Sequence, residues 1–195
     1  MDTTAERNHV MAEGFLGIVT SLQHESDRGT VVLASAWLDE ALTRIISKFF
    51  KPVSKNGEKL LKAGQPLGDF GTKIMLADRL GLVNKHTVES LTICRRLRND
   101  FAHLSTDLSF STPEVKDRVQ YLFKLNEDLL SVMGQVLEDA GMPIGAGDTT
   151  QVTGEHMLKK FGHKLVFQYT CGFINSGLAA YEHDVKAANP QFDGE

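Results

Sequence analysis

Apolar residues recur at three- and four-residue spacing along most of the chain, and each such run predicts an amphipathic helix. Val10, Phe15, Leu16, Val19 and Leu22 stripe a first helix over Ala5–His24. Gly14 and Gly17 weaken it or open it to close contact with another helix. Asp27-Arg28-Gly29 breaks the pattern. The second helix, Thr30–Phe50, has the cleanest stripe, made of Ala34, Leu38, Ala41, Leu42, Ile45 and Phe49. Asp39 lies at the edge of that stripe, Glu40 and Arg44 lie opposite, and Pro52 ends the helix.

A basic, Gly-containing connection over residues 51–66 leads to a short helix. Asp69 is placed to cap its start, Ile74, Leu76, Ala77 and Leu80 follow, and Gly81 is a stop. Asn84 can cap the central helix, Thr87–Leu104. Val88, Leu91, Cys94, Phe101 and Ala102 form its apolar side; Arg98 falls inside that arc, while Arg96, Asn99, Asp100 and His103 fall outside. Ser111-Thr112-Pro113-Glu114 is a helix start with a hydroxyl cap, a first-turn proline and an early acid. It opens a fifth helix from Pro113 to about Ala140, followed by a Gly- and Thr-rich loop over Gly141–Gly154.

The last stretch, Glu155–Ala188, alternates like a strand between Leu165 and Phe173. No other segment reads as a strand to pair with it, and an unpaired strand leaves its edges unsatisfied. It is read as a C-terminal helix, with Gly162, Gly172, Gly177 and Ala180 as flat spots suited to close packing, including packing between copies in a homo-oligomer. The pattern predicts an all-α helical bundle of about six helices, one compact domain over residues 1–195.

Composition narrows the function classes. The 21 basic and 25 acidic residues give a net charge of −4, so no global basic field draws in nucleic acid. The two cysteines, Cys94 and Cys171, sit far apart in apolar segments and read as buried, reduced thiols. No apolar run reaches membrane-spanning length and the first residues lack a leader's apolar stretch, which points to the cytoplasm. Gly145-Ala146-Gly147 follows no strand, and neither a phosphate-binding GK[ST] nor G-x-S-x-G occurs. His156 and His163 lack the one-turn spacing of a helical zinc pair. No cofactor and no metal are implied.

Arg98 carries the chemistry that remains. A guanidinium on an apolar face must meet a carboxylate or open into a cleft, because its desolvation otherwise costs several kcal/mol. Two readings follow. In the first, Arg98 pairs with Asp39 or Glu40 and His103 caps the helix end, where a partly positive ring is favoured. In the second, Arg98 holds a phosphate and His103 shuttles a proton, as metal-independent RNA cleavage by a 2′-hydroxyl requires. Five residues of regular helix set the two side chains about 140° apart, so they converge only if His103 lies past the helix end or across a dimer. Arg95, Arg96 and Arg98 point in different directions and form no stripe for DNA, and no convincing helix-turn-helix is present.

The run Gln65-Pro-Leu-Gly-Asp-Phe, then Arg79-Leu-Gly-Leu-Val-Asn, then Leu97-Arg-Asn-Asp-Phe-Ala-His resembles the mannitol operon repressor family of bacteria. Trp37-Leu-Asp-Glu-Ala-Leu is similar too, and the likeness spans about residues 30–140. It implies an all-helical regulator of a sugar-alcohol operon, not an enzyme, that works without an evident DNA-reading motif. Its partner would be another protein, on a polar face around Asp69, Arg96, Arg98, Asn99 and His103. A second resemblance overlaps it: Arg98-Asn99 followed by His103 is similar to the Arg-x4-6-His motif of HEPN domains. That likeness implies a ribonuclease or toxin-like RNA-binding protein with Arg98 and His103 catalytic, Asn99 in support and Glu40 or Asp39 orienting the arginine. Both resemblances imply a helical fold and a homodimer.

Overall fold

Three helices begin where a side chain takes up N–H groups that the helix itself leaves unpaired. Ser26 Oγ accepts from Gly29 N at 3.0 Å, Asp69 Oδ1 from Gly71 N at 2.8 Å and Thr72 N at 3.2 Å, and Asn84 Oδ1 from Thr87 N at 2.9 Å. The computed structural model describes residues 3–51, 58–103, 107–129, 132 and 154–188. Among them run six helices: α1 (Thr3–Leu22), α2 (Asp27–Phe49), α3 (Phe70–Arg79), α4 (Lys85–Ala102), α5 (Pro113–Leu125) and α6 (Gly154–Asp184). The fold is an all-α bundle, as the periodicity predicts.

Several ends differ from the sequence reading. The Asp27-Arg28-Gly29 interruption is the first turn of α2, because Ser26 caps it. Thr112 precedes α5 but makes no side-chain cap bond; its hydroxyl accepts instead from Ser109 N at 3.1 Å, and Pro113 alone suits the first turn. Gly81, at φ 67°, closes α3 with bonds from Gly81 N to Asp78 O and from Leu82 N to Ala77 O, the pairing a left-handed glycine permits. The α5 helix stops at Leu125 and the chain turns at Asn126 and Glu127; Asp128, Leu129 and Val132 are helical again, and the rest of the expected run to Ala140 lies outside the described residues. Asn126 is buried and turns its amide back onto Leu122 O and Ser90 Oγ, at 2.8 and 2.9 Å, which competes with further helix. Met133, Val136 and the Gly/Thr-rich loop lie outside the described residues, apart from Gly154 at the start of α6.

The strand-like alternation of Leu165–Phe173 is a helix covered on most sides. α6 packs against α1, α2 and α5, so Val166, Phe167, Cys171, Phe173, Ile174 and Leu178 are buried around its barrel. A helix buried all round loses the one-sided stripe that marks a helix in sequence. Gly162, at φ 73° and ψ 167°, breaks α6 into two pieces. One apolar core draws residues from all six helices, with Ala12, Phe15 and Phe173 as a satellite between α1 and α6. Two of the small residues of α6 serve this interior: a Cβ at Gly172 would stand 2.7 Å from Phe15 Cδ2, and Ala180 is buried, whereas a Cβ at Gly162 or Gly177 would meet open space.

Candidate functional site

The core side of α4 is Ser90, Leu91, Ile93, Cys94, Leu97 and Phe101. This corrects the predicted arc. Val88 is half-buried, Ala102 is exposed, and Arg98 is exposed rather than lodged in the core. The reason is axial. Arg98 follows Leu91 by seven residues and so lies on nearly the same flank, about 20° around. That flank is covered at Leu91, near the middle of α4, and open at Arg98, one turn from its end.

The expected ion pairs of Arg98 are also corrected. Asp39 is held by Lys73 Nζ at 2.8 Å, and Glu40 lies 3.9 Å from Arg44, which reaches Glu182 at 2.9 Å. Arg98 donates to Asn99 Oδ1 at 3.2 Å. His103 stands past the helix as its C-cap residue, with an extended backbone and its N–H on Asp100 O at 3.3 Å. Asp69 spends its carboxylate on the start of α3.

What the structure does assemble is the outer face of α4. Lys85, Glu89, Thr92, Arg96, Asn99 and His103 succeed one another by three or four residues, the spacing of one helix face. Arg96, Asn99 and His103 therefore share a face, and Arg98 and Asp69 stand apart from it. Beside this face runs α5. Its Arg118 pairs with Asp100, and its Tyr121 donates to Glu89 Oε1 at 2.6 Å. The hydrogen bond to Glu89 leads in raising the Tyr121 phenol above its ordinary range, with desolvation and the Glu89 charge adding to it. Between the two helices lies an open cleft of about 520 Å³, lined by Asp78, Lys85, Val88, Ile93, Arg96 and Tyr121 among others. Its walls mix apolar carbon with charge.

Arg118, Tyr121, Lys85 and Glu89 were not singled out from the sequence. Arg118 and Tyr121 lie one turn apart on α5, beside the positions its apolar stripe leaves free, and that was the available signal. Lys73 was also missed: it is 4% exposed, and its pairing with Asp39 joins elements 34 residues apart. Asp39 and Lys73 line a second cleft of about 420 Å³ with Thr43, Ser47, Glu58 and Lys62.

Cys94 and Cys171 are fully buried thiols, free of a disulfide, with sulfurs 4.0 Å apart between α4 and α6. Burial leads in pushing the Cys171 thiol well above its usual range, and the neighbouring Cys94 adds to it. Among the described residues no group of three or more His, Cys, Asp or Glu side chains is placed to hold a metal ion, and no helix is long and apolar enough to cross a membrane.

The class these features define is an all-α bundle with a polar helix face set beside a mixed cleft. A solved structure shares the fold: the MtlR chain of the MtlR–HPr complex from Escherichia coli superposes with a TM-score of 0.55. The match covers 87% of this chain and 98% of that one at 17% sequence identity, so the likeness is one of fold. No family model and no curated protein matches the sequence.

Proposed function

We propose that this chain is a regulator of the mannitol operon repressor type that acts by binding a protein partner. The observation behind it is the shared fold with MtlR, seen in complex with HPr, along nearly the whole of that chain. The ordered segments from Trp37 to His103 that resemble the same family point the same way. The partner class is HPr or a protein like it, and the working face is the outer side of α4 with Arg96, Asn99 and His103. Control of a sugar-alcohol operon follows from the family resemblance. Isothermal titration of the purified chain with HPr from the same organism tests this. Micromolar or tighter binding is the expected result. No heat of binding, together with tight sequence-specific DNA binding by the isolated chain, overturns it.

A ribonuclease reading has one specific observation in its favour: Arg98 is exposed and hydrogen-bonded to Asn99, the residue the HEPN resemblance puts in support. It has lost its orienting acid, since Asp39 and Glu40 are engaged with Lys73 and Arg44. Magnesium-independent RNA cleavage that disappears in both Arg98→Ala and His103→Ala supports this reading; intact RNA with the wild-type chain removes it.

A further inference from the structure

The cleft of about 420 Å³ that Asp39 and Lys73 share is lined mostly by polar side chains. α2 supplies Asp39, Glu40, Thr43 and Ser47, and α3 supplies Lys73. The connection between them adds Glu58, Lys62 and the buried Leu61. That connection is built rather than loose. Lys62 N donates to Lys59 O at 3.1 Å, Gln65 N to Lys62 O at 3.0 Å and Leu67 N to Leu60 O at 3.0 Å, and a Cβ on Gly68 would collide with Lys62 O. The cleft is therefore ready-made, which spares a ligand the cost of ordering it. Its polar groups have bonding capacity to spare. An ammonium carries three protons, and among the described residues Lys73, 4% exposed, gives one of them, to Asp39 Oδ1 at 2.8 Å. Ser47 is half-buried and, among the described residues, its hydroxyl makes no hydrogen bond. Thr43 donates to Asp39 O at 2.7 Å and keeps lone pairs that can accept. Charge decides what fits. The lining holds three carboxylates and two ammonium groups, and Asp39 and Lys73 already neutralise each other. An anion would settle beside Glu40 and Glu58 and compete with Asp39 for Lys73, while a cation would meet Lys62 and Lys73. A neutral molecule rich in hydroxyls meets neither penalty. Each hydroxyl donates to a carboxylate or accepts from an ammonium as its neighbour requires, and the C–H surface between hydroxyls suits Leu61.

We propose that the cleft between α2, α3 and residues 58–68 binds a neutral linear polyol. Lys62 and Lys73 donate to its oxygens, the second carboxylate oxygen of Asp39 and the carboxylate of Glu40 accept from its hydroxyls, and Ser47 does either. The site is argued from its own lining and rests on the regulator reading above only for the choice of probe. It shares no lining residue with the outer face of α4, so polyol and protein partner can be bound at once.

The probe is D-mannitol, titrated to millimolar concentration into the full chain and followed by ¹H–¹⁵N spectra. The expected result is a saturable shift confined to residues 39–47, 58–68 and 73. Two variants carry the test. Ser47→Leu fills the cleft without touching the Asp39–Lys73 pair, and Lys73→Met removes the buried donor. Each weakens mannitol on the order of tenfold or more, and unchanged dispersion in either spectrum shows that its fold is intact. Glutarate, a dianion of similar length, leaves the cleft resonances in place. Shifts that grow linearly without saturating, that map to another surface, or that persist undiminished in a folded Ser47→Leu chain overturn the proposal. So does glutarate binding in the cleft more tightly than mannitol. The HPr titration stands apart from these outcomes. HPr binding without mannitol binding removes the polyol site and leaves the protein-partner reading, while mannitol binding without HPr binding does the reverse.

Discussion

Gly172 leaves no room for one more carbon. A Cβ there would lie 2.7 Å from Phe15 Cδ2 and 3.1 Å from Cε2, and Phe15 is fixed in a stack with Phe173 at 5.1 Å. Gly172→Ala therefore loses about 1–3 kcal/mol of stability by overpacking, despite the better helix propensity of alanine. Gly177, in the same helix, has open space at its Cβ, so Gly177→Ala gains up to about 1 kcal/mol. Urea titration of the two variants checks the opposite signs. The Asp39–Lys73 pair gives a second asymmetry. The Lys73 side chain is 5% exposed and that of Asp39 30%. Asp39→Ala strands a buried ammonium and costs about 3–5 kcal/mol. Lys73→Met leaves a carboxylate that still reaches water, and its cost is the smaller of the two. Equal melting temperatures for the two variants would contradict this. At this scale the sequence misleads by angle alone. Arg98 shares a flank with Leu91, but position along the helix decides which of them is covered, and periodicity carries no information about where a neighbouring helix ends.

Elements were legible where one face meets water. The stripes of α2 and α3 could be read because Glu40 and Arg44, or Met75 and Asp78, face outward between their buried residues. α6 was harder, since packing on three sides erases its period, and only the lack of a strand to pair with identified it as a helix. In sequence Gly162 looks like a flat packing spot rather than a break, because a glycine does not disclose its φ there. His163 follows that break and faces α5, with Gln120 at 3.3 Å. Its pKa is held below the ordinary histidine value of 6.5, first by desolvation and then by the Lys116 charge, against a smaller opposing pull from Asp117. The unfolded chain thus takes up this proton at a higher pH than the folded one. The His163 contribution is complete above pH 6.5 and is lost as pH falls through the folded pKa. His163→Gln should flatten that part of the stability profile, and an imidazole resonance titrating below 6.5 in the wild-type spectrum should vanish with it. A His163 titration at or above that value would contradict the assignment.

At the scale of the whole molecule, the helix least visible in sequence is the one around which the others gather. α6 contacts α1, α2 and α5, and Phe167 on it is fully buried against Phe110, which in turn meets Phe101 of α4. One aromatic chain thus ties α6 to α4, the helix whose outer face carries Arg96, Asn99 and His103. Two consequences follow for a single substitution. Phe167→Ala removes a large buried side chain that the surrounding helices cannot fully replace, and costs about 3–5 kcal/mol. Domains of this kind have only about 5–15 kcal/mol in total, so the variant stands near the edge of folding. Because the six helices share one core, the loss should not be confined to α6. Helical signal and the environment of Trp37 on α2 should melt together, at a temperature lowered by the same amount for both probes. Circular dichroism and tryptophan fluorescence on the same sample check this. Two separated transitions would mean that α6 and its partners form a unit apart from the helices carrying the cleft, and that the binding face does not depend on the buried helix for its support.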